Sequence, residues 1–326
     1  MSIKFIFAGP RTTIQDKGRM GYQTTGFAPS GFMDRVAARR ANTIVNNSEN
    51  DAIIEFCLVG PTMLFTAPAN ICVSGGDFQI KIGLELYPAD TAVHVETGQT
   101  VSIMTGNVGT YGCIAVGGGL AIPEIMGSYS TNLRCKIGGF NGRQLMNGDE
   151  LELRNPKYAA QNLSNRRLPE RKLAAMDEVL TVRVVPGPQE EAFTEAGIQT
   201  FYNSEYTVSN LSDRMGFRLE GPVVETKNGS DIISDGIVLG SVQIAGNGNP
   251  IVMMADRQTT GGYAKIATVI HVDIPQFAQL RPSQKVRFQA ITVQEAQKLY
   301  REFYQEWAKL KRSMIKPLFD GRFSLT

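Results

Sequence analysis

The chain has 326 residues, of which 42% are hydrophobic, and its 33 basic and 31 acidic side chains leave a net charge of +2. This length suggests two domains with packed cores, while the balanced charge argues against a dominant nucleic-acid or anionic-membrane surface, and no apolar run reaches membrane-spanning length. The four cysteines lie far apart without a C-x-x-C pair, so we expect reduced thiols in a cytoplasmic protein and no metal site.

The first distinctive stretch covers residues 12–42 and reads TTIQDKGRMGYQTTGFAPSGFMDRVAARRAN. A polar, glycine-rich loop leads there into an amphipathic helix, whose apolar residues recur with a period near 3.6. We predict that Ser30 caps this helix and that Asp34 lies in its first turn. Unpaired backbone N–H groups at a helix start make the loop a candidate ligand site. The alternative is a capped helix behind an ordinary surface loop.

The middle and the end of the chain read mainly as strands. Residues 78–86 alternate apolar and polar side chains, and further short strands are separated by glycine turns, which predicts barrels or sandwiches. Residues 155–177 are polar and basic, so we predict a linker there between domains 1–154 and 178–326. The last helix begins with a capping box at Thr292 and Glu295, and its apolar face, with Trp307, covers a barrel end or forms a groove. The predicted class is mainly β, a β-rich α+β fold with a few helices.

Three further polar clusters are bounded by glycines: GSYSTN (127–132), VSNLSDRMGFRLEG (208–221) and the long segment at 240–269. In the last of these, MADRQTTGGY begins where an apolar strand ends. Its carboxylate, guanidinium, amide and hydroxyl groups beside a glycine pair suit a bound carboxylate, phosphate or small amide. The alternative is a structural turn held by an internal Asp–Arg pair.

Taken in order, these clusters resemble the signatures of the allophanate hydrolase subunit 2 family, also called the KipA-like or biotin-dependent carboxyltransferase family. The opening resembles P-G-x-x-T-T-x-Q-D-x-G-R-x-G-Y, S-G-x-M-D and A-x-x-A-N, although Gly9-Pro10 is inverted and Phe32 replaces a proline or small residue. The motifs G-S-x-S-T, S-D-R-M-G-x-R-L and D-x-Q-T-T-G-G-Y follow. Within the family, residues 187–198, 204–210 and 255–263 are most similar to the C subunits of bacterial 5-oxoprolinases.

The resemblance implies two cyclophilin-like β-barrel domains in one chain. It implies a subunit of an ATP-dependent 5-oxoprolinase, inactive alone, that acts with a subunit 1 or KipI-like partner and a lactam-binding third subunit. ATP is expected to bind the complex, in this chain or in a partner. One alternative is the carboxyltransferase component of a biotin-dependent urea carboxylase or allophanate system, with biotin supplied by a partner. The other is a non-enzymatic KipA-like antagonist of a kinase inhibitor.

The predicted site combines these motifs with the resemblance. We expect Asp34, Asp256 and Arg257 to be catalytic, the aspartates as orienting or basic groups. We expect a turn at residues 259–262 to bind an anion, and no metal ligand. The residues expected to bind substrate or anion are Arg19, Ser128, Thr131, Arg143, Arg214, Gln243, Gln258, Thr259, Thr260, Gly261, Gly262 and Tyr263.

Overall fold

The first half of the chain forms two antiparallel sheets around one core. The computed structural model describes residues 1–155, 163–164 and 166–315. The larger sheet has the spatial order β11 (Glu150–Glu152), β1 (Ser2–Phe7), β4 (Thr62–Phe65), β9 (Thr100–Thr105), β6 (Phe78–Ile82) and β7 (Glu85–Pro88). The smaller sheet has the order β2 (Thr13–Gln15), β3 (Ile53–Cys57), β10 (Tyr111–Val116), β5 (Ala69–Ser74) and β8 (Val93–Val95).

Apolar side chains from both sheets meet in a single buried cluster. The predicted alternation holds in β6, where Phe78 and Ile80 are buried and Gln79 and Lys81 are exposed. The prediction of one strand over residues 78–86 is wrong, because a turn at residues 83–84 separates β6 from β7 and leaves Leu84 99% exposed. Because alternate residues of a strand point to opposite faces, this pattern places one face of the sheet on the core. Phe78 contacts Phe56 of the other sheet edge-to-face, with ring centroids 4.8 Å apart.

The second half forms a closed seven-stranded barrel. Its order is β12 (Leu180–Pro186), β19 (Lys265–Val269), β16 (Ser241–Ile244), β17 (Pro250–Met253), β14 (Gly216–Glu220), β13 (Tyr206–Val208) and β20 (Lys285–Ala290). Strands β12 and β20 pair in parallel and close the barrel. Outside it, β15 (Asp231–Gly236) and β18 (Thr260–Tyr263) form a two-stranded ribbon. The mainly β prediction is confirmed, but the predicted turn at residues 259–262 is wrong, because Thr260–Tyr263 is a strand.

Four α-helices lie in the described ranges: α1 (Arg35–Ile44), α2 (Glu195–Asn203), α3 (Ile274–Phe277) and α4 (Val293–Ile315), with short 3-10 turns at Gln23–Thr25 and Glu190–Ala192. Asp34 caps α1, since its Oδ1 accepts hydrogen bonds from the backbone N–H groups of Val36 (3.0 Å) and Ala37 (2.9 Å). The predicted Ser30 cap is wrong, because Ser30 adopts a left-handed conformation (φ 55°) in the turn before the helix. No helix in the described part of the chain is both long and apolar enough to cross a bilayer.

The two halves contact each other directly. Gln279 of the second half donates through Nε2 to Asp34 Oδ2 (2.7 Å) and to the carbonyl of Tyr111 (2.8 Å) in the first half. Part of the predicted linker, 156–162 and 165, lies outside the described residues. In the part that is described, Leu168 and Ala174 are buried, which a wholly solvated linker would not show. The domain boundaries at 154 and 178 stay a prediction.

Candidate functional site

The first two sequence motifs bind each other through Asp16. Its Oδ1 accepts hydrogen bonds from the Gly18 N–H (2.8 Å) and from the hydroxyls of Ser128 (2.6 Å) and Ser130 (2.5 Å). Its Oδ2 accepts from the Tyr129 N–H (2.8 Å). Asp16 is only 2% exposed, so a buried carboxylate is satisfied by four internal donors. We call residues 16–19 and 128–131 the Asp16 cluster.

Three predicted anion-binding residues belong to this cluster or bond to it. Arg19 is fully buried and donates through Nε to the Ile125 carbonyl (3.1 Å) and through Nη2 to the Ser130 carbonyl (3.0 Å). Burial lowers its pKa despite the nearby Asp16. Ser128 gives its hydroxyl hydrogen to Asp16, and Thr131 gives its own to the Ile14 carbonyl (3.0 Å). Ser128 and Thr131 are therefore bonded within the protein, whereas Arg19 Nη1 is buried without a hydrogen-bond partner in the described part of the chain.

The remaining motifs meet at a cleft of about 540 Å³ between the two halves. The wall from the second half contains Asp213, Arg214, Met215, Asp256, Arg257, Gln258 and Thr259. The wall from the first half includes Arg11, Thr13, Glu55, Cys57, Tyr111, Asn132, Leu133, Arg134, Cys135 and Gln144. Four arginines and three carboxylates therefore line what we call the arginine-lined cleft.

A buried ion-pair network crosses the cleft. Arg214 donates to Asp256 through Nε (2.8 Å) and Nη2 (3.1 Å), and through Nη1 to Glu55 Oε1. Its Nη2 also donates to the Gly31 carbonyl (2.7 Å), so one side chain ties the barrel to the loop before α1. The alternative predicted an Asp–Arg pair inside MADRQTTGGY. That pair does not form, because Asp256 pairs with Arg214 of another motif and not with Arg257.

Glu55 is the carboxyl group in the cleft whose pKa is raised toward neutrality. It is 2% exposed, and burial raises its pKa to about 7, although Arg214 and the Met33 N–H, which donates to Oε2 (2.8 Å), act in the opposite direction. Arg214 stays protonated because the two carboxylates raise its pKa. A carboxyl group with a pKa near neutrality can give or take a proton at physiological pH.

Arg257 carries a charge without a partner. It is 8% exposed and donates through Nε to the Ile237 carbonyl (3.3 Å) and through Nη1 to the Met254 carbonyl (3.2 Å). Within the described residues, no carboxylate lies at ion-pair distance from Arg257, Arg11 or Arg134. Burial and Arg35 lower the Arg257 pKa to about 10, so the guanidinium is still charged at pH 7. A buried, unpaired guanidinium facing a cleft is suited to a bound anion.

Two cysteines and a tyrosine also lie in the cleft wall. Burial raises the pKa of Cys57 to about 11, and the pKa of Tyr111 is raised well above its usual value by burial as well. Both are therefore protonated at neutral pH, and Cys57 is not a ready nucleophile. Cys135 is exposed. Among the described residues, no group of three or more His, Cys, Asp or Glu side chains could hold a metal ion.

Of the other predicted site residues, two line the cleft and the rest lie outside it. Gln258 and Thr259 line the cleft beside Arg257. Gln243 is buried in the barrel, where its Nε2 donates to the Tyr263 carbonyl (3.1 Å). The rest of the motif, residues 260–263, forms strand β18 beyond the cleft wall. Arg143 pairs with Asp149 through two hydrogen bonds (2.7 and 2.8 Å) on the surface of the first half.

Asp34 does not line the cleft. Its Oδ1 caps α1, and its Oδ2 accepts hydrogen bonds from Arg171 and from Gln279 (2.7 Å). Its predicted catalytic role has no support in this geometry, because both oxygens are occupied by structural partners. Glu55, Arg11 and Arg134 are among the cleft residues that were not predicted from the sequence. A lone glutamate inside the apolar run IIEFC is a recognisable signal for Glu55, whereas Arg11 and Arg134 have no signal beyond standing next to motifs.

Comparison with known proteins identifies the family of this chain. The family model described as a carboxyltransferase domain, subdomains A and B, matches residues 25–290. A Haemophilus influenzae protein named as the C subunit of 5-oxoprolinase is 36% identical over 292 residues, covering 90% of this chain and 92% of that protein. The protein of the same name from Escherichia coli is 33% identical over 299 residues, covering 91% and 93%.

Solved structures extend the comparison. The crystal structure of the Kluyveromyces lactis urea carboxylase matches with a TM-score of 0.87 and 27% identity, covering 98% of this chain and 30% of that one. The predicted family resemblance is confirmed by the family match and by the two bacterial relatives. The chain belongs to the family of proteins built on the carboxyltransferase domain with subdomains A and B.

Proposed function

We propose that this chain is the C-type subunit of an ATP-dependent 5-oxoprolinase and that the arginine-lined cleft holds the reacting anion. The similarity to two proteins named as C subunits of 5-oxoprolinase, over about nine tenths of each chain, supports the assignment. The observation that carries the role of the cleft is the unpaired charge of Arg257, buried beside Gln258 and Thr259. The cytoplasmic location remains part of this proposal.

The reaction converts 5-oxoproline, ATP and water into glutamate, ADP and phosphate. An amide carbonyl is a poor electrophile, so the lactam needs activation by phosphorylation before water can open it. Both the lactam's carboxylate and a phosphoryl group are anions that guanidinium groups bind well. Arg257, Arg11 and Arg134 would hold these oxygens and offset charge that develops during transfer.

The buried network supplies the other functions of the site. Glu55, with a pKa near 7, is placed to exchange a proton with a group in the cleft. Asp256 acts as an orienting group, because it holds Arg214 through two hydrogen bonds and so fixes the charge beside Glu55. This gives Asp256 the orienting role expected from the sequence, exerted through Arg214.

The proposed activity requires partners. The cleft offers anion-binding groups and one titrating carboxyl, but no complete catalytic set for a phosphorylation followed by hydrolysis. We therefore propose that the site is completed by a subunit 1 or KipI-like partner and by a lactam-binding protein. ATP would contact the chain, its partner or both within that complex.

Carboxyl transfer is the second candidate. The family model is named for a carboxyltransferase domain, and the fold matches the urea carboxylase structure closely. In this alternative the same arginines would hold a carboxyl group delivered by a partner's biotin. The cleft would then act on a urea-type amide instead of a lactam.

Reconstitution separates the two candidates. The chain is mixed with its subunit 1-like partner and the lactam-binding protein, and ADP and glutamate are measured with and without 5-oxoproline. We expect lactam-dependent turnover by the complete complex and none by the chain alone. Turnover by the isolated chain would refute the requirement for partners. Carboxyl transfer would be favoured if 5-oxoproline does not change the release of ADP and if urea accelerates the loss of the carboxyl group from a carboxylated biotin carrier.

A further inference from the structure

The first half of helix α4 lies over the barrel without packing tightly against it. The helix start is fixed by a reciprocal cap, in which the Glu295 N–H donates to Thr292 Oγ1 (3.2 Å) and the Thr292 N–H donates to Glu295 Oε2 (2.8 Å). Its second half is fixed by Trp307, which is 8% exposed and donates to Glu49 (3.1 Å). Between these attachments, the side chain of Tyr300 remains 43% exposed.

A cavity of about 410 Å³ separates this part of α4 from the barrel. The barrel side is lined by Val185 of β12, Val269 of β19 and Ile270, and the helix side by Val293 and Ala296. An amphipathic surface helix normally buries its apolar stripe against a core, whereas here the stripe faces an open space. The volume lies within the range of small-molecule sites, so the cavity presents two apolar walls to a ligand.

The lining of the cavity carries one cationic side chain. Arg301 lines it, and no aspartate or glutamate is among the lining residues. His271 also lines it, with its ring edge-on to Tyr300 at 5.5 Å between centroids. Burial and the charges of Arg35 and Arg39 lower the His271 pKa to about 4, so its neutral ring offers one donor and one acceptor. The Arg35 Nε is buried without a hydrogen-bond partner in the described part of the chain.

We propose that this cavity binds a small organic carboxylate that carries an apolar chain or ring. The apolar part lies between α4 and the barrel, and the carboxylate lies toward Arg301 and His271. A cation is disfavoured because the lining of the cavity contains the guanidinium group of Arg301 and no carboxylate. The site is separate from the arginine-lined cleft, shares none of its residues, and does not depend on the proposed 5-oxoprolinase function.

Titration calorimetry on the full chain tests the ligand class with three probes. Octanoate supplies the chain and the charge, octan-1-ol supplies the chain alone, and acetate supplies the charge alone. We expect saturable binding of one octanoate per chain, about threefold to fivefold weaker binding of octanol, as for one exposed charge pair, and no measurable binding of acetate. The fluorescence of Trp307, the single tryptophan, should change with octanoate because the ligand contacts the same helix.

Two variants locate the site. Ala296→Phe fills the cavity and should weaken octanoate binding at least about tenfold, whereas Ala308→Phe, an exposed position on the same helix, should leave it unchanged. Arg301→Gln should reduce octanoate affinity to that of octanol without changing the affinity for octanol. This second arm remains informative if Ala296→Phe fails to fold.

Three results would overturn the proposal. Absence of saturable octanoate binding to the intact chain would reject the site. Octanoate binding that is equally weakened by Ala308→Phe and Ala296→Phe would reject the cavity as its location. Equal affinities for octanoate and octanol would reject the carboxylate as part of the ligand.

Discussion

Two polar regions of this protein contain similar residue types and use them in opposite ways. In the Asp16 cluster, one buried carboxylate accepts four hydrogen bonds from its own chain, and Arg19 donates to two carbonyls. In the arginine-lined cleft, Arg257 is buried with no carboxylate partner among the described residues, and burial raises the Glu55 pKa to about 7. The carboxylate of the first region is fully satisfied by its own chain, whereas the second region presents the Arg257 guanidinium to a cleft between the two halves.

The comparison shows what a polar, glycine-bounded motif can mean. Such a motif marks either a set of internal hydrogen bonds that fixes loops or a set of charges held ready for a ligand. Density of polar residues does not distinguish the two, since both regions are rich in polar and charged side chains. Access to a cleft does, because Arg19 and Arg257 each donate to two backbone carbonyls, but Arg257 lies in the wall of the arginine-lined cleft, where an anion can reach its guanidinium.

The largest effect should follow loss of the Asp16 carboxylate. Asp16→Ala leaves the hydroxyls of Ser128 and Ser130 and two N–H groups buried without their acceptor. We therefore expect the free energy of unfolding to fall by about 3–5 kcal/mol. Asp149→Ala removes a carboxylate paired with the more exposed Arg143 and should cost about 1 kcal/mol or less. Denaturant unfolding measures both, and equal costs would show that the Asp16 cluster is not structural.

A pH-dependent effect should distinguish the cleft from the cluster. Burial raises the Glu55 pKa from 4.5 to about 7, so the folded state holds a proton that the unfolded state has released between these values. Stability from this group is fully present below about pH 4.5 and is lost as pH rises through about 7, by about 3 kcal/mol in total. Glu55→Gln should flatten the stability profile over that window. An unchanged profile in the variant would mean that Glu55 titrates normally.

Loss of Arg257 should separate binding from stability. Arg257→Ala removes an unpaired buried charge, so we expect turnover of the reconstituted complex to fall about 100-fold. The free energy of unfolding should change by less than about 1 kcal/mol. Asp256→Asn should lower both, because it removes the partner of Arg214. Arg143→Ala, outside the cleft, is the matched control and should retain full turnover. Normal turnover by Arg257→Ala would remove this residue from the site.

Much of the architecture could be predicted because its signals are local. The alternation of Phe78 and Ile80 with exposed neighbours predicted β6, and the spacing of Thr292 and Glu295 predicted the start of α4. The end of β17 before MADRQTTGGY likewise placed Arg257 beside a candidate site. Each of these depends on residues a few positions apart, which one sequence displays directly.

Pairings across the chain could not be predicted in this way. Arg214 bonds to Asp256, 42 residues away, and to Glu55, 159 residues away, and no periodicity connects those positions. The same limit explains the error at α1. Ser30 and Asp34 are both good caps, and the choice of Asp34 follows from the left-handed turn at Ser30, which tertiary contacts impose.

The smallest effect concerns Asp34, which resembles Asp16 in having both oxygens occupied. Arg171, in the segment between the halves, donates to Asp34 and holds that segment against α1. Arg171→Ala removes one of four donors to Asp34, and the other three still satisfy both oxygens, so the change should weaken this attachment by about 1 kcal/mol, as for the loss of one hydrogen bond. Trypsin should then cut at the exposed Arg167 or Lys172 about fivefold faster than in the unaltered chain.

Limited proteolysis followed by mass spectrometry measures the cleavage rate and identifies the first cleavage sites. In the unaltered chain, the first cuts should fall at Arg167 or Lys172 and not at Arg166, whose side chain donates to the Thr43 carbonyl (3.1 Å). Arg143→Ala should leave the cleavage rate unchanged, since its ion pair is remote from the segment. First cuts within 237–291 would contradict the prediction that the segment between the halves is the part of the chain that opens most easily. Unchanged cleavage of Arg171→Ala would show that the buried Leu168 and Gln284, which donates to the Ala175 carbonyl (2.8 Å), hold the segment without the ion pair.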